Sequence, residues 1–150
     1  NIASSIIGYS PIPSKGEGGV EEYFNSYLMA YPEKGKTTVR GSSITLTLDY
    51  EIQALLEEIL EEEGITHDAA VITDTGFIAA YCGKEDKEVV ENIVRFITPP
   101  VSVTTERALT LPSRMLDGIA VGPYYVWCEG EEEYLLADKM KQILSRSGKL

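Results

Sequence analysis

The sequence contains few of the residues from which most metal and nucleophilic sites are built. It has one histidine and two cysteines, Cys82 and Cys128, among its 150 residues. Neither cysteine belongs to a Cys-x-x-Cys motif, and one pair is too few for a zinc site. Both stand in apolar stretches, which favours buried thiols that pack as small hydrophobic groups; the alternative is a disulfide between adjacent strands, in a protein outside the cytoplasm. We therefore expect no metal site and no cofactor.

Basic clusters and long apolar runs are also lacking. The chain carries 24 acidic residues against 13 basic ones, for a formal net charge of −11. A nucleic-acid-binding surface needs a basic face that releases counterions from phosphates, and the densest basic groups, Lys34 to Arg40 and Lys139 to Lys141, are small. The longest apolar run is only a few residues long, so no segment is predicted to span a membrane. These absences argue against direct binding to nucleic acid or to an anionic lipid surface.

What is present predicts a globular domain. Hydrophobic residues make up 43% of the chain and charged residues 25%, which is enough apolar material for a real core. The chain begins with Asn1 rather than Met, and the segment from Ile2 to Tyr9 reads as part of an element already under way. We therefore expect a processed or shortened product, from which an upstream anchor has been removed.

The first half of the chain predicts a short helix, two strands and a longer helix. Apolar residues recur at helical spacing over Gly19 to Ala30, and β-branched residues alternate over Thr37 to Arg40 and Ser43 to Leu48. Asp49 is a good N-cap for a helix whose apolar stripe packs inward and whose acidic face is solvated. Gly64 is its natural C-terminal stop.

The second half predicts a hairpin, helices and further strands. Strands over Ala69 to Thr73 and Phe77 to Cys82 flank an Asp-Thr-Gly turn that begins at Asp74. A helix over Glu85 to Ile97 is predicted from its apolar spacing and from the prolines that follow it. The remaining predicted elements are a strand at Val101 to Thr105, a loop with a short helix over Glu106 to Asp117, strands at Gly118 to Val121 and Tyr124 to Cys128, and a helix over Glu131 to Ser145.

This order of elements predicts an α+β fold, in which helices cover an antiparallel sheet and an N-terminal extended arm with a short helix precedes it. The natural boundary lies between an arm of residues 1–42 and an α+β domain of residues 43–150.

Three residues are candidates for a ligand pocket. Arg107 lies among hydroxyl-bearing residues and could receive a carboxylate or phosphate, although a plain surface arginine is the alternative. Tyr125 and Trp127 are two positions apart on a predicted strand, so they share one face. They could wall a small-molecule pocket, and core packing is the commoner use of such aromatics. His67 beside Asp68 has no matched nucleophile, which favours a capping or surface role.

Three stretches resemble class B penicillin-binding proteins at the junction between their pedestal and transpeptidase domain. The segment Ile6 to Leu28 (IIGYSPIPSKGEGGVEEYFNSYL) is similar to the family's Ile-Gly-Tyr segment, Gly-rich turn and helix. Ser43 to Gln53 (SITLTLDYEIQ) resembles its strand and helix start, and Ala69 to Gly83 (AAVITDTGFIAAYCG) resembles its hairpin. The three segments follow the family's order and spacing, and that ordered set is the specific signal.

The family's catalytic motifs are missing from this sequence. Its chemistry requires a serine with a lysine three residues later on one helical face, and no lysine here has a serine at that position. No Ser-x-Asn and no Lys-Thr-Gly occurs, since Lys36 and Thr37 are followed by Thr38. The resemblance therefore implies a non-catalytic domain, a scaffold or interaction module of cell-wall (peptidoglycan) synthesis. It implies a place on the extracytoplasmic face of a bacterial membrane, protein partners of the cell envelope or self-association, and membrane contact only through an upstream anchor.

The second half is also similar to the GAF-like sensor domain of sporulation regulators. The resemblance covers residues 68–150, through the Asp68 to Gly83 hairpin and the turn in AVGPYYVW (Ala120 to Trp127). It implies a different function, a cytoplasmic domain that binds a small ligand and controls an attached output domain.

Overall fold

The computed structural model of the chain describes residues 2–12, 15–23, 44–84, 86–96 and 113–150. Several predictions fall outside these residues: the second half of the first helix, the strands at Thr37 to Arg40 and Val101 to Thr105, and the candidate Arg107.

Short elements near the N-terminus are followed by longer ones. In chain order they are α1 (Ser4–Ile7), β1 (Tyr9–Ile12), β2 (Lys15–Glu17), α2 (Gly19–Tyr23), β3 (Ile44–Leu46), α3 (Tyr50–Glu62), β4 (Ala69–Thr73), β5 (Ile78–Cys82), α4 (Lys87–Asn92), β6 (Val94–Phe96), a 3₁₀ turn (Ser113–Met115), β7 (Ile119–Val121), β8 (Tyr124–Cys128) and α5 (Glu133–Arg146).

A four-stranded antiparallel sheet with the strand order β5-β4-β8-β7 forms the centre of the fold. The turn between β4 and β5 begins at Asp74, and Gly76 occupies it with a φ of +89°, as the hairpin signal predicts. With helices packed on this sheet, the predicted α+β class is confirmed.

Helices α3 and α5 cover one face of the sheet. Ala69 and Val71 of β4 point to this face, where they join the core residues of both helices. The predicted start of α3 is confirmed, because the Asp49 side chain accepts hydrogen bonds from the backbone N–H groups of Glu51 at 3.0 Å and Ile52 at 3.2 Å. Gly64 follows the end of α3 with a φ of +64°, a conformation that glycine adopts without strain.

The opposite face carries a second core, to which the N-terminal segment contributes. Ala70 and Ile72 of β4 alternate with the residues of the first face, so both faces of this strand are buried. They pack with residues of the N-terminal segment, of α4 and of the 3₁₀ turn: Ala3, Ile6, Val20, Val89, Val90, Ile93 and Met115. The division into residues 1–42 and 43–150 stays a prediction.

The predicted helix over Glu85 to Ile97 is wrong in its second half. Helix α4 begins after its N-cap Asp86 and ends at Asn92, and the chain continues as β6. Strand β6 pairs with β3 in antiparallel register, with Ile44 opposite Phe96. The apolar spacing fits a helix locally, but pairing with a strand some fifty residues earlier overrides that preference.

Candidate functional site

The two aromatic candidates share the second face of the sheet but have different surroundings. Ile72 pairs with Tyr125 and Ala70 pairs with Trp127 across β4 and β8, so both aromatics lie on the face that Ala70 and Ile72 bury. Trp127 is 6% exposed and belongs to the second core, whereas Tyr125 is 43% exposed. The structure therefore places Trp127 in a packing role and leaves Tyr125 accessible.

Arg114 covers Trp127 and is held by two aspartates. Its guanidinium carbon lies 5.7 Å from the centroid of the Trp127 ring, in range of a cation–π interaction. Its Nη2 lies 2.8 Å from Asp86 Oδ2, and its Nη1 lies 4.0 Å from Asp68 Oδ2. With Tyr81, whose hydroxyl is 3.4 Å from Nη2, these residues form a set that we call the Arg114 cluster: Asp68, Tyr81, Asp86 and Arg114.

Asp68 is the buried carboxylate of the Arg114 cluster. Its Oδ2 accepts from the Tyr81 hydroxyl at 3.2 Å, and its Oδ1 accepts from the Lys84 backbone N–H at 3.3 Å. The loop at Gly83 passes so close that a Cβ there would lie 2.5 Å from the Asp68 side chain. Burial and hydrogen bonding therefore fix this carboxylate in one position.

The environment of Tyr81 makes it a hydrogen-bond donor and not a base. Burial raises the pKa of the Tyr81 hydroxyl well above its ordinary value, and the Asp68 carboxylate raises it further, while Arg114 opposes both. The hydroxyl therefore stays protonated at neutral pH, when it donates to Asp68 Oδ2 or to the Lys84 carbonyl oxygen at 3.0 Å. Because its charges pair with each other, the Arg114 cluster fastens the 3₁₀ turn to the sheet.

A small cavity lies beside the 3₁₀ turn, at the end of the sheet where β4 turns into β5. Its volume is about 160 Å³, and its lining residues are Ile72, Thr73, Asp74, Gly76, Met115, Leu116 and Tyr125. We call it the Tyr125 cavity. Met115 is 1% exposed, whereas Leu116 is 66% exposed, so the cavity runs from the second core to the surface. Its polar end is the hairpin turn, where Phe77 N donates to Thr73 Oγ1 at 3.0 Å.

His67 and Asp68 do not form a pair. The His67 Nδ1 lies 3.0 Å from Glu132 Oε2, in the loop before α5, while Asp68 turns inward to Tyr81. Among the described residues Glu132 Oε2 has no hydrogen-bond donor, so its contact with His67 is electrostatic and is not a hydrogen bond. The His67 side chain is 48% exposed, in agreement with its predicted surface role.

The alternative of a disulfide between Cys82 and Cys128 is wrong. The two residues lie on β5 and β8, and each is opposite Ala69 of the strand between them. Two strand spacings place their Cα atoms roughly 10 Å apart, and a disulfide requires less than about 7 Å. Both thiols are free.

Both thiols are also poorly suited to act as nucleophiles. Burial raises the pKa of Cys82 to about 12, and the nearby Glu57 carboxylate adds to that effect. Burial likewise raises the pKa of the Cys128 thiol. Since the thiolate is the reactive form, neither side chain provides an activated nucleophile at neutral pH.

Sequence reasoning missed the Arg114 cluster because its members come from separate elements. Asp68 precedes β4, Tyr81 lies in β5, Asp86 caps α4 and Arg114 lies in the 3₁₀ turn. No local motif joins residues that far apart in the chain.

Two other features are absent from the described ranges. No group of three His, Cys, Asp or Glu side chains there could hold a metal ion. None of the helices there has the length and apolar character that a membrane span requires.

No protein-family model matches the chain, and no curated protein matches it. The proposals below therefore rest on the residues and contacts described above and on the segments that carry the two resemblances.

Proposed function

We propose that the chain is a non-catalytic, penicillin-binding-protein-like domain that acts as a scaffold or interaction module in peptidoglycan synthesis, on the extracytoplasmic face of the bacterial membrane. The observation that carries the proposal is the way in which the three family-like segments are joined. They are separate in sequence, and in the folded chain each is held to another by specific contacts.

The second and third segments are joined by hydrogen bonds that run along the outer edge of β5. Gln53 is 1% exposed, and its side-chain amide donates to the Tyr81 carbonyl oxygen at 2.8 Å and accepts from the Tyr81 N–H at 2.8 Å. Asp49 N donates to the Ala79 carbonyl oxygen at 2.7 Å, and Thr47 Oγ1 donates to that of Ile78 at 2.7 Å. The aspartate and glutamine of the LTLDYEIQ stretch are thus the residues that fasten α3 to the hairpin.

The first segment is joined to the third by packing. Ile6 is 1% exposed and Val20 is 3% exposed, and both belong to the second core together with Ile72 and Ile78 of the hairpin. Burial of this kind is the main source of stability in small domains. The described parts of the three segments thus pack into one structural unit, and this is the observation that supports the proposal.

Two observations support the proposal that the domain is not catalytic: the absence of the family's serine–lysine motif, and the contacts of two of its titratable side chains. No serine precedes a lysine by three residues anywhere in the chain. Two of the described groups that could act as nucleophile or base are engaged with neighbours: Asp68 with Tyr81 and Arg114, and Cys82 with Gln53 at 3.4 Å. A domain without chemistry of its own contributes by binding.

The experiment that tests the location is protease treatment of intact source cells, followed by blotting for this domain in membrane and soluble fractions. We expect the domain to be lost from intact cells and any remaining fragment to stay with the membrane. Protection of the domain in the soluble fraction of untreated and treated cells alike would contradict an envelope scaffold.

A fluorescent penicillin tests the absence of acyl-transfer chemistry. The intact protein should stay unlabelled in membranes whose active penicillin-binding proteins label strongly, which makes those proteins the internal control. Covalent labelling of this chain would overturn the non-catalytic reading.

The Tyr125 cavity favours a second candidate function, the GAF-like small-molecule-sensing domain of a transcription regulator. Tyr125 belongs to the AVGPYYVW stretch of that resemblance, and it walls a cavity that opens to solvent. The two candidates differ in location, because a sensor of this kind is cytoplasmic and would be protected from protease in intact cells.

A further inference from the structure

We propose that the Tyr125 cavity binds a small organic cation, an ammonium group joined to a compact aromatic or aliphatic body. This inference goes beyond the scaffold function and does not depend on it, because it rests on the shape and charge of the cavity alone. The Arg114 cluster and the His67–Glu132 pair offer weaker candidates, since their charged groups are engaged with one another.

The inner part of the cavity is apolar. Ile72 is 2% exposed and Met115 is 1% exposed, and they form the buried end, while Leu116 and Tyr125 stand at the opening. Tyr125 faces Ala120 across the β7–β8 pair, and a methyl group covers little of an aromatic ring. A hydrophobic body that enters the cavity would therefore contact both the core end and the exposed ring.

The polar part of the cavity carries negative charge. Asp74 is the charged residue among those that line it, and it is exposed. Within the part of the chain that the structure describes, no lysine, arginine or histidine pairs with its carboxylate. Asp74 and Tyr125 both line the cavity and both are exposed, and a carboxylate and a tyrosine ring each attract an ammonium group. The net charge of −11 further favours cations over anions near this surface.

The volume limits the size of the ligand. Pockets for drug-sized molecules measure roughly 300–1,000 Å³, and this cavity measures about 160 Å³. It therefore suits a body of roughly ten non-hydrogen atoms or fewer and is too small for a nucleotide or a folded peptide.

The test is a titration of the ¹⁵N-labelled protein with phenethylammonium chloride, with phenylacetate as an anion of similar size. We expect saturable amide shifts with the ammonium compound, confined to residues 72–76, 115–116 and 125. The affinity of such a small ligand is expected on the order of millimolar. The anion should bind at least about fivefold more weakly, because it meets Asp74 as a like charge.

Variants separate the contributions of charge and ring. Asp74→Asn keeps a residue that turns accept, and it should weaken binding of the cation about two- to fivefold. Tyr125→Leu keeps an apolar side chain at this position and removes the aromatic ring. It should therefore lower the affinity for the cation by a larger factor than the affinity for a neutral phenyl compound. Asp138→Asn removes the same charge from the exposed face of α5 and should leave binding unchanged.

Three results would overturn the proposal: no saturable shifts up to about 20 mM ligand, equal binding of the anion, or unchanged binding by Asp74→Asn with a native spectrum. None of them bears on the location of the protein in cells, so failure of this inference and failure of the scaffold function are separate outcomes.

Discussion

Single residues with long-range partners stabilise the interior of this protein. Gln53 and Asp68 are the buried polar residues of the described core, and each bonds to groups more than ten positions away. Strand β5 lies at the edge of the sheet, where unpaired N–H and C=O groups would otherwise be free. The Gln53 side chain forms hydrogen bonds with both the N–H and the C=O group of Tyr81. It therefore provides partners for the backbone of this edge strand where the strand is buried.

Replacement of Gln53 by leucine should therefore destabilise the protein strongly, although the two side chains have similar volumes. Gln53→Leu leaves the Tyr81 N–H and C=O buried without partners, and we expect a loss of about 2–4 kcal/mol in the free energy of unfolding. Urea denaturation measures this. Gln142→Leu is the matched control, because Gln142 is exposed and its side-chain amide donates to the exposed Asp138 Oδ2 at 3.1 Å. The effect of this control should stay within about 0.5 kcal/mol. Equal effects of the two variants would contradict the role of Gln53.

The raised pKa of the half-buried Cys82 thiol predicts a loss of stability at alkaline pH. Burial raises the pKa of Cys82 from 9.0 to about 12, so the folded state keeps this proton to a higher pH than the unfolded state does. The contribution is fully present below pH 9.0 and is lost as the pH rises towards about 12. The slope is at most about 1.4 kcal/mol per pH unit for one group.

Unfolding free energies of the wild type and of Cys82→Ala between pH 7 and pH 11 check this expectation. The variant should lose stability less steeply above pH 9.0, while the two curves run parallel below pH 8. Parallel curves over the whole range would show that Cys82 does not carry the effect. Residual slope in the variant is expected, because the pKa values of Cys128 and Tyr81 are also raised by burial.

At the scale of elements, the sequence predicts best those whose ends are set by a local signal. Asp49 and Gly64 bound α3 as expected, because an N-cap carboxylate and a residue with positive φ act within their own turn. The end of α4 and the start of β6 have no such signal. Val94 continues the apolar spacing of the helix, yet it pairs with Leu46, and that partner is invisible to a local pattern.

Two glycines with positive φ allow a prediction about how α1 and α2 meet. A Cβ at Gly19 would clash with the Ile6 carbonyl oxygen, whereas one at Gly64 would meet nothing within 4 Å. Gly64→Ala should therefore cost only the strain of a left-handed backbone, about 1–2 kcal/mol. Gly19→Ala adds a backbone clash and should cost about 2–5 kcal/mol. Urea denaturation of both variants decides this, and similar costs would mean that α1 and α2 do not pack as described.

At the scale of the whole molecule, a structural feature is harder to predict from the sequence when more secondary-structure elements contribute to it. Alternation along one strand was enough to place Tyr125 and Trp127 on one face of the sheet. Their different exposure was not predictable, because it depends on the 3₁₀ turn that brings Arg114 over Trp127. The Tyr125 cavity likewise needs the hairpin turn, the 3₁₀ turn and β8 together. The fold class follows from the order of elements, whereas the site follows from contacts between them.

The contribution of the N-terminal segment to the second core predicts that the molecule unfolds as one unit. Ile6 is 1% exposed on one side of the sheet and Leu136 is 0% exposed on the other. Ile6→Ala and Leu136→Ala should each lower the free energy of unfolding by about 2–5 kcal/mol. Trp127, the single tryptophan, reports on the second core, so its fluorescence and far-UV circular dichroism should change in one coincident transition in both variants.

A different result would support the division predicted from the sequence. If Ile6→Ala leaves the main transition unchanged, or if Trp127 fluorescence changes at lower urea than the circular dichroism, then residues 1–42 are not part of the cooperative core. Because Ile6 and Val20 belong to segments that resemble the penicillin-binding-protein family, that outcome would also remove the packing argument for the scaffold function. A single transition would instead mean that the second face of the sheet is stable only when the N-terminal segment covers it.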